Sequence, residues 1–142
     1  MIVPRAVAER ELLASREDVW TFLAQPQHLA DWWPGLAAVD PDRRGLAKGA
    51  RWNVRRGSQP GLLRSANTEE TLLVLEADRP RLVRCRFIGR RLDFELELSA
   101  AAPDRTLARL TVSGPFVLAF RKNLPSVALD RLYDLVQTGA SL

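Results

Sequence analysis

Cysteine and histidine are almost absent from this 142-residue chain, which contains one of each, Cys85 and His28. A single cysteine excludes an internal disulfide. One cysteine and one histidine also cannot supply the four ligands of a structural zinc site. A site made of carboxylates alone stays open, but the sequence shows no acidic ligand loop. We therefore expect neither a bound metal nor a cofactor.

All apolar runs in the sequence are short, as in Leu72–Leu75. A membrane-spanning helix needs roughly 20 apolar residues, so we expect no transmembrane segment. The first five residues lack a basic stretch followed by an apolar one, so we expect no signal peptide and a cytoplasmic location. The composition, 46% apolar and 27% charged, is typical of a globular chain. The length fits a single domain spanning residues 1–142.

Lysine is scarce too: the chain has 2 lysines against 19 arginines, a net charge of +4 and a pI of about 10.2. Ten arginines and only four acidic residues lie between Arg51 and Arg91. Such a stretch could bind nucleic acid or an anionic membrane. Charge runs more often form a solvated face, so the sequence does not favour a nucleic-acid partner.

The elements that are present begin with a strand over residues 5–13 and a helix over residues 16–24. Ser15 and Asp18 have the spacing of a capping box at the start of that helix. Pro26 ends it and can start a second short helix, residues 27–33, which Pro34 and Gly35 stop. After Gly35 the spacing of apolar residues changes from the helical repeat to the two-residue alternation of β-strands. Further strands are predicted at residues 36–39, 51–56, 68–77, 82–88, 92–100 and 106–112.

The last segment is helical and ends near Thr138, with Gly139 as a C-terminal stop. Its apolar face contains Leu132 and Val136, among others. Pro125 lies inside this region and leaves two alternatives. Either the helix kinks near Arg121, or the main helix begins at Asn123 with Pro125 in its first turn.

The pair of strands 82–88 and 92–98 fixes which side of the sheet is inside. A two-residue turn at Gly89-Arg90 places one apolar row beside the other, and places Arg84 and Arg86 opposite acidic residues. A slip of one residue would bury the charges. The apolar face of such a sheet must be shielded from water. The C-terminal helix is the long amphipathic element left to cover that face. The fold class is therefore α+β, a curved antiparallel sheet around a C-terminal helix, with two short helices after the first strand.

At several points the chain resembles the SRPBCC superfamily, which includes START-like lipid carriers, polyketide cyclase/dehydrase-like proteins and Bet v 1-like proteins. Residues 14–26 resemble its first helix, and residues 29–35 its second helix and tryptophan-rich exit. Residues 49–52, 75–83 and 106–111 resemble its later strands. The resemblance implies the helix-grip fold and an internal cavity for a hydrophobic small molecule such as a lipid, a polyketide or an isoprenoid-like compound.

The strand pattern gives eight candidate residues for the lining of such a cavity. Their inward apolar side chains, with two polar ones, suit a binding module. An alternative, a polyketide cyclase/dehydratase-like enzyme, needs a positioned acid and base, and the sequence assigns no catalytic residue; a homodimer is left open. The candidates are Trp52, Val54, Phe87, Phe94, Leu96, Leu110, Glu76 and Tyr133.

Five individual residues need a separate interpretation. Glu76 lies on a strand with apolar residues on both faces, so it either faces inward as a candidate acid/base or ligand anchor or, as slightly favoured, faces solvent. His28 could be a base, but a lone histidine on a short helix is usually a surface or capping residue. Cys85 sits on an apolar face as a small buried hydrophobe. Trp32 and Trp33 border either a ligand entrance or the core, with core favoured for Trp32.

Overall fold

The period-two segments form one antiparallel sheet in the computed structural model, which describes residues 4–57, 69–115 and 123–140. Seven strands pair within the described part in the order β1-β7-β6-β5-β4-β3-β2. Every predicted strand end lies within two residues of the observed one. The strands are β1 Arg5–Leu12, β2 Leu36–Asp40, β3 Arg51–Arg56, β4 Glu69–Asp78, β5 Leu82–Phe87, β6 Leu92–Ala102 and β7 Arg105–Ser113.

Two short helices follow β1, as predicted. Helix α1 spans Arg16–Leu23, and the Ser15 hydroxyl caps it by accepting a hydrogen bond from the Asp18 amide at 3.2 Å. The predicted second helix is divided into a 3₁₀ turn, Pro26–His28, and a single turn of α-helix, α2, Leu29–Trp32. Pro26 opens the 3₁₀ turn, where a missing amide hydrogen costs little.

The C-terminal helix α3 spans Leu124–Ala140. Pro125 is its second residue, so it occupies the first turn, where a proline removes no helical hydrogen bond. This agrees with the alternative in which the main helix begins near Asn123. The other alternative, a kink near Arg121, concerns a position outside the described residues.

The β5–β6 hairpin has the predicted register. Cys85 pairs with Phe94 on the inner face, where both are buried. On the outer face the Arg86 guanidinium donates to Asp93 at 2.7 Å, and Arg84 lies 3.7 Å from Glu95. The inner and outer faces of this hairpin are therefore assigned as the sequence predicts.

The helices share the inner face of the sheet between them. Helix α3 packs against β1 and β7, where Arg10 of β1 bonds Asp130 and stacks 4.1 Å over the Tyr133 ring. Helices α1 and α2 contact β6 and β2 respectively. One continuous apolar core fills the space between these helices and the sheet.

We predict that the two faces of the hairpin differ sharply in their contribution to stability. Phe94→Ala removes a ring that is 3% exposed, so it should lower the free energy of unfolding by about 3–5 kcal/mol. Arg86→Ala removes an exposed ion pair, which contributes about 0–1 kcal/mol. Urea unfolding of both variants measures this, and equal losses would mean that the faces are reversed.

Candidate functional site

An apolar cavity lies between α1, α2 and the inner face of β3, β5 and β6. Its volume is about 20 Å³, which is room for about one water molecule. Among its described lining residues, the side chains that carry a polar group are Cys85, Trp32 and Trp52. It is lined by Leu23, Leu29, Trp32, Leu46, Trp52, Val83, Cys85, Phe94 and Leu96.

The cavity is much smaller than the sequence led us to expect. A curved sheet under one short helix should leave a sizeable pocket, but two additional helical segments and their tryptophans fill that space. Trp32 and Trp33 are 2% and 0% exposed. Among the described residues, this cavity is therefore no larger than a solvent molecule.

Six of the eight predicted lining residues are buried on the inner face, and three of them reach the cavity. Trp52, Phe94 and Leu96 line it. The other three buried residues belong to the surrounding core and not to the cavity wall: Val54, Phe87 and Leu110.

The placement of Glu76 in the cavity lining is wrong, and a β-bulge is the reason. Val74 pairs with Cys85, whereas Glu76 pairs with Arg84, so the register shifts at the residue between them. Without this shift Glu76 would share the inner face with Val74. With it, the Glu76 carboxylate lies on the outer face, 43% exposed and 3.5 Å from Arg84.

The placement of Tyr133 in the lining is also wrong. Tyr133 is half-buried on α3 beneath the Arg10 guanidinium. Helix α3 covers the β1–β7 side of the sheet, whereas the cavity lies under α1 and α2. Helix α3 therefore contributes no residue to the wall of this cavity.

Six lining residues were missed, and three of them had a usable signal. Val83 and Cys85 belong to the same inward row as Phe87, so their period alone predicts an inward direction. The sequence leaves Trp32 between a ligand entrance and the core, and in the structure Trp32 lines the cavity while being 2% exposed. Leu23 and Leu29 lie on the short helices, and Leu46 lies in a loop with no periodic pattern.

An aromatic cluster adjoins the cavity wall. The Trp33 ring lies 4.6 Å from Phe94 and 5.4 Å from Phe87, centre to centre. Trp32 meets both Trp33 and Phe94 edge to face. Such pairs add about 0.5–1.5 kcal/mol each beyond area burial. The cluster therefore fixes the positions of Trp32 and Phe94, which form part of the wall.

The loop that carries Leu46 is fastened at both ends. The Asp42 carboxylate accepts hydrogen bonds from the Arg44 amide at 2.9 Å and the Arg51 amide at 2.8 Å. The Trp52 indole donates to the carbonyl of Gly45 at 3.0 Å. Gly45 and Gly49 have φ angles of +63° and +87°, a region that favours glycine. These contacts hold Leu46 against the cavity.

The hold of Asp42 on the loop depends on its charge. The backbone hydrogen bond from Arg51 lowers the pKa of the Asp42 carboxyl below its ordinary value. A lowered pKa in the folded state means that the carboxylate stabilises this loop fully above the ordinary carboxyl pKa. The stabilisation is lost only as the pH falls through the lowered pKa.

The cavity offers little acid–base chemistry. Burial raises the pKa of the Cys85 thiol, so it stays protonated and unreactive at neutral pH. His28 lies outside the cavity: its Nδ1 donates to the Phe22 carbonyl at 2.8 Å and its ring stacks on Phe22. His28 is thus a local structural residue, as expected. The described residues also contain no group of three potential metal ligands.

A second hollow is larger but of a different character. It is an open surface groove of about 500 Å³ at the β1–α1 junction and the β6–β7 turn. Its walls include Asp18, Asp104 and Arg105, so charged groups face its solvent. The groove is therefore a poorer place than the enclosed cavity for an apolar molecule.

Several arginines between residues 79 and 90 pair with acids, and all of these pairs except the largely buried Arg90–Glu70 pair are well exposed. Arg79 bonds Glu17 across a sequence distance of 62 residues, and Arg81 bonds Asp78 in its own turn. Arg84, Arg86 and Arg90 pair with acids on neighbouring strands. This is the arrangement expected of a solvated, salt-bridged face. Among the described helices, none is long and apolar enough to cross a bilayer.

Solved structures share this architecture at low sequence identity. Norcoclaurine synthase from Thalictrum flavum, solved as a point mutant with a transition-state analogue, is 18% identical with a TM-score of 0.71, covering 98% of this chain and 97% of that one. Protein NE0264 from Nitrosomonas europaea is 15% identical with a TM-score of 0.69 and covers 97% of both chains. A conserved protein of unknown function from Enterococcus faecalis, EF2215, is 19% identical with a TM-score of 0.65, covering 94% of this chain and 76% of that one. At these identities the likeness shows the fold.

No curated protein is significantly similar in sequence to the chain. Family comparison is more specific, because a single family matches nearly the whole length, residues 4–135. The match includes all seven strands, both short helices and most of α3. The chain therefore belongs to the family described as polyketide cyclase / dehydrase and lipid transport, within the SRPBCC superfamily.

Proposed function

We propose that the protein binds an apolar small molecule in an enlarged form of the cavity under α1 and α2. The observation that supports this most directly is the wall, which consists of apolar and aromatic side chains and one thiol. Ligand pockets for hydrophobic molecules have this makeup. Membership of a family described by cyclase, dehydrase and lipid transport activities supports the same class of ligand.

Binding requires the cavity to open. A volume of about 20 Å³ is far below the roughly 150 Å³ of an apolar cavity that holds benzene. The ligand must therefore shift the protein towards a more open state, and its apparent affinity is reduced by the population of that state.

The loop carrying Leu46 is the element we propose to move. The loop is held by separate hydrogen bonds and not by a strand ladder, and the Asp42 bonds lie at exposed positions. The strands on the opposite wall are held by continuous ladders instead, as between Cys85 and Phe94. A displacement of the loop costs a few hydrogen bonds, whereas a displacement of a strand costs many.

The enzyme alternative has less support. A cyclase or dehydratase needs an acid and a base close to the reacting atoms. Among the described residues that line the cavity, Cys85 is the only titratable side chain, and it stays protonated. We therefore place binding ahead of catalysis.

We predict that N-phenyl-1-naphthylamine, a neutral apolar fluorophore, binds the folded protein. Cys85→Met fills the cavity and should weaken binding by about tenfold or more, since about 1.4 kcal/mol is lost for each factor of ten. Ala108→Met is the matched control: Ala108 is equally buried but lies outside the cavity wall. It should change the affinity by less than about twofold.

Fluorescence titration measures both affinities, and circular dichroism confirms that each variant folds, because overpacking costs about 1–3 kcal/mol at either position. Absence of binding to the unmodified protein would contradict the proposed function. Equal weakening by the two variants would contradict the location of the site.

We also predict that Asp42→Ala accelerates the labelling of Cys85. Cys85 is the only thiol, is 1% exposed and lines the cavity, so a thiol reagent reaches it only when the structure opens. Loss of the Asp42 bonds should raise the labelling rate by about tenfold. Saturating N-phenyl-1-naphthylamine should slow labelling. Asp104→Ala, a change at an exposed aspartate of the β6–β7 turn, is the control and should leave the rate unchanged.

A further inference from the structure

The two edges of the sheet differ in how well they are protected from pairing with another strand. An edge strand presents backbone amides and carbonyls that can bond a further strand. Strand β2, at one edge, is five residues long, and its pairing with β3 shifts register between Leu36 and Ala38. Strand β1, at the other edge, pairs with β7 over eight residues without a shift. The side of β1 that faces away from β7, which we call the free edge, is therefore the more regular of the two.

The register of β1 shows which of its backbone groups point to the free edge. The Pro4 carbonyl accepts a hydrogen bond from the Gly114 amide at 3.1 Å, and the strand continues in the same register. Backbone groups alternate in direction along a strand, so the residues with even numbers bond β7. Arg5, Val7 and Glu9 then direct their amides and carbonyls to the free edge. Among the described residues, none donates to or accepts from these groups.

The side chains of the same three residues project from the outer face of the sheet and are exposed. Val7 is 44% exposed. Arg5 and Glu9 form no ion pair with a described residue, although Glu9 lies opposite Arg109 of β7. The next outward residue, Glu11, already bonds an arginine of β7 at 3.1 Å. The free edge thus presents one apolar side chain between a cation and an anion that lack such a bond.

This order of residues is complementary to itself in an antiparallel arrangement. If a twofold axis passes through Val7, Val7 lies opposite its own copy, and Arg5 of each strand lies opposite Glu9 of the other. Cross-strand pairs of opposite charge or of β-branched side chains stabilise antiparallel strands. The same register places Ala6 opposite Ala8 on the inner face, where both side chains are small. An axis through Glu9 would instead place two glutamates opposite each other.

We propose that the protein forms a homodimer in which β1 pairs antiparallel with β1 of a second copy, about a twofold axis through Val7. The partner is a second copy because the sequence that complements this edge is its own, which is the condition for an isologous interface. The amides of Arg5, Val7 and Glu9 then donate across the axis. The dimer is separate from the proposed ligand binding, since the described lining of the cavity contains no residue of β1.

Reversal of the charges at the free edge tests the dimer. Sedimentation velocity over a series of protein concentrations gives the dissociation constant of the dimer. Arg5→Glu and Glu9→Arg each place like charges opposite each other at two positions, so each should raise this constant by about tenfold or more. The double variant with both changes restores two pairs of opposite charge. It should return the constant to within about threefold of that of the unmodified protein.

Glu97→Arg is the matched control. It makes the same charge change at an exposed glutamate on the outer face of β6, which β7 separates from β1. It should change the dissociation constant by less than about twofold. Circular dichroism confirms that each variant folds, and the exposed positions of Arg5 and Glu9 favour this.

Amide hydrogen exchange locates the interface independently of the variants. At protein concentrations above the dissociation constant, the amides of Arg5, Val7 and Glu9 should exchange more slowly than in the monomer, because the second copy bonds them. The amides of Ala6 and Ala8 bond β7 in both states, so their exchange should change much less.

A protein that remains monomeric up to about 1 mM would overturn the proposal. A dimer that is insensitive to both Arg5→Glu and Glu9→Arg, or one whose slowed amides lie outside β1, would also overturn it. Failure of the double variant to restore association would contradict the axis through Val7. None of these results bears on the binding of N-phenyl-1-naphthylamine, so the dimer and the binding function can fail separately.

Discussion

The alternation of side chains across β5 and β6 is the constraint on which the rest of the molecule depends. Cys85 and Phe94 face each other on one side of the hairpin, while Arg86 and Asp93 pair on the other. A shift of one residue would bury two charges and expose an apolar row, so the register has no close competitor. The hydrogen-bond ladders to β4 and β7 carry the same inner face across the sheet. The helices must then cover that face.

Two sets of helices cover this face, and their placement determines how the interior is filled. Helix α3 takes the β1–β7 side, and α1 and α2 take the other. Because α2 is a single turn, backbone alone cannot fill the space beneath it, and tryptophan rings do so instead. Close packing of these rings with Phe94 stabilises the fold and also closes the cavity. The rings that stabilise the fold occupy the space that a ligand would need. The free energy of ligand binding must therefore exceed the cost of moving these rings.

The sequence predicts the direction of a side chain well where the two-residue alternation is unbroken, and poorly where it is interrupted. Phe94 and Leu96 were placed correctly because their strand alternates regularly through the inner face. Glu76, a lining candidate for which the sequence slightly favoured a solvent-facing position, does face solvent, because the bulge beside Val74 reverses its direction. A bulge in a strand with apolar residues on both faces leaves no mark in the pattern. Leu46 reaches the cavity from a loop, and the position of a loop depends on tertiary contacts such as those of Asp42.

Polar groups are scarce at the cavity wall, and this limits what the wall can recognise. The cavity wall offers contact area but almost no direction, because apolar contacts fit any ligand of suitable shape. Among the described side chains of the wall, the one that could exchange a proton is the Cys85 thiol, and burial raises its pKa and keeps it protonated.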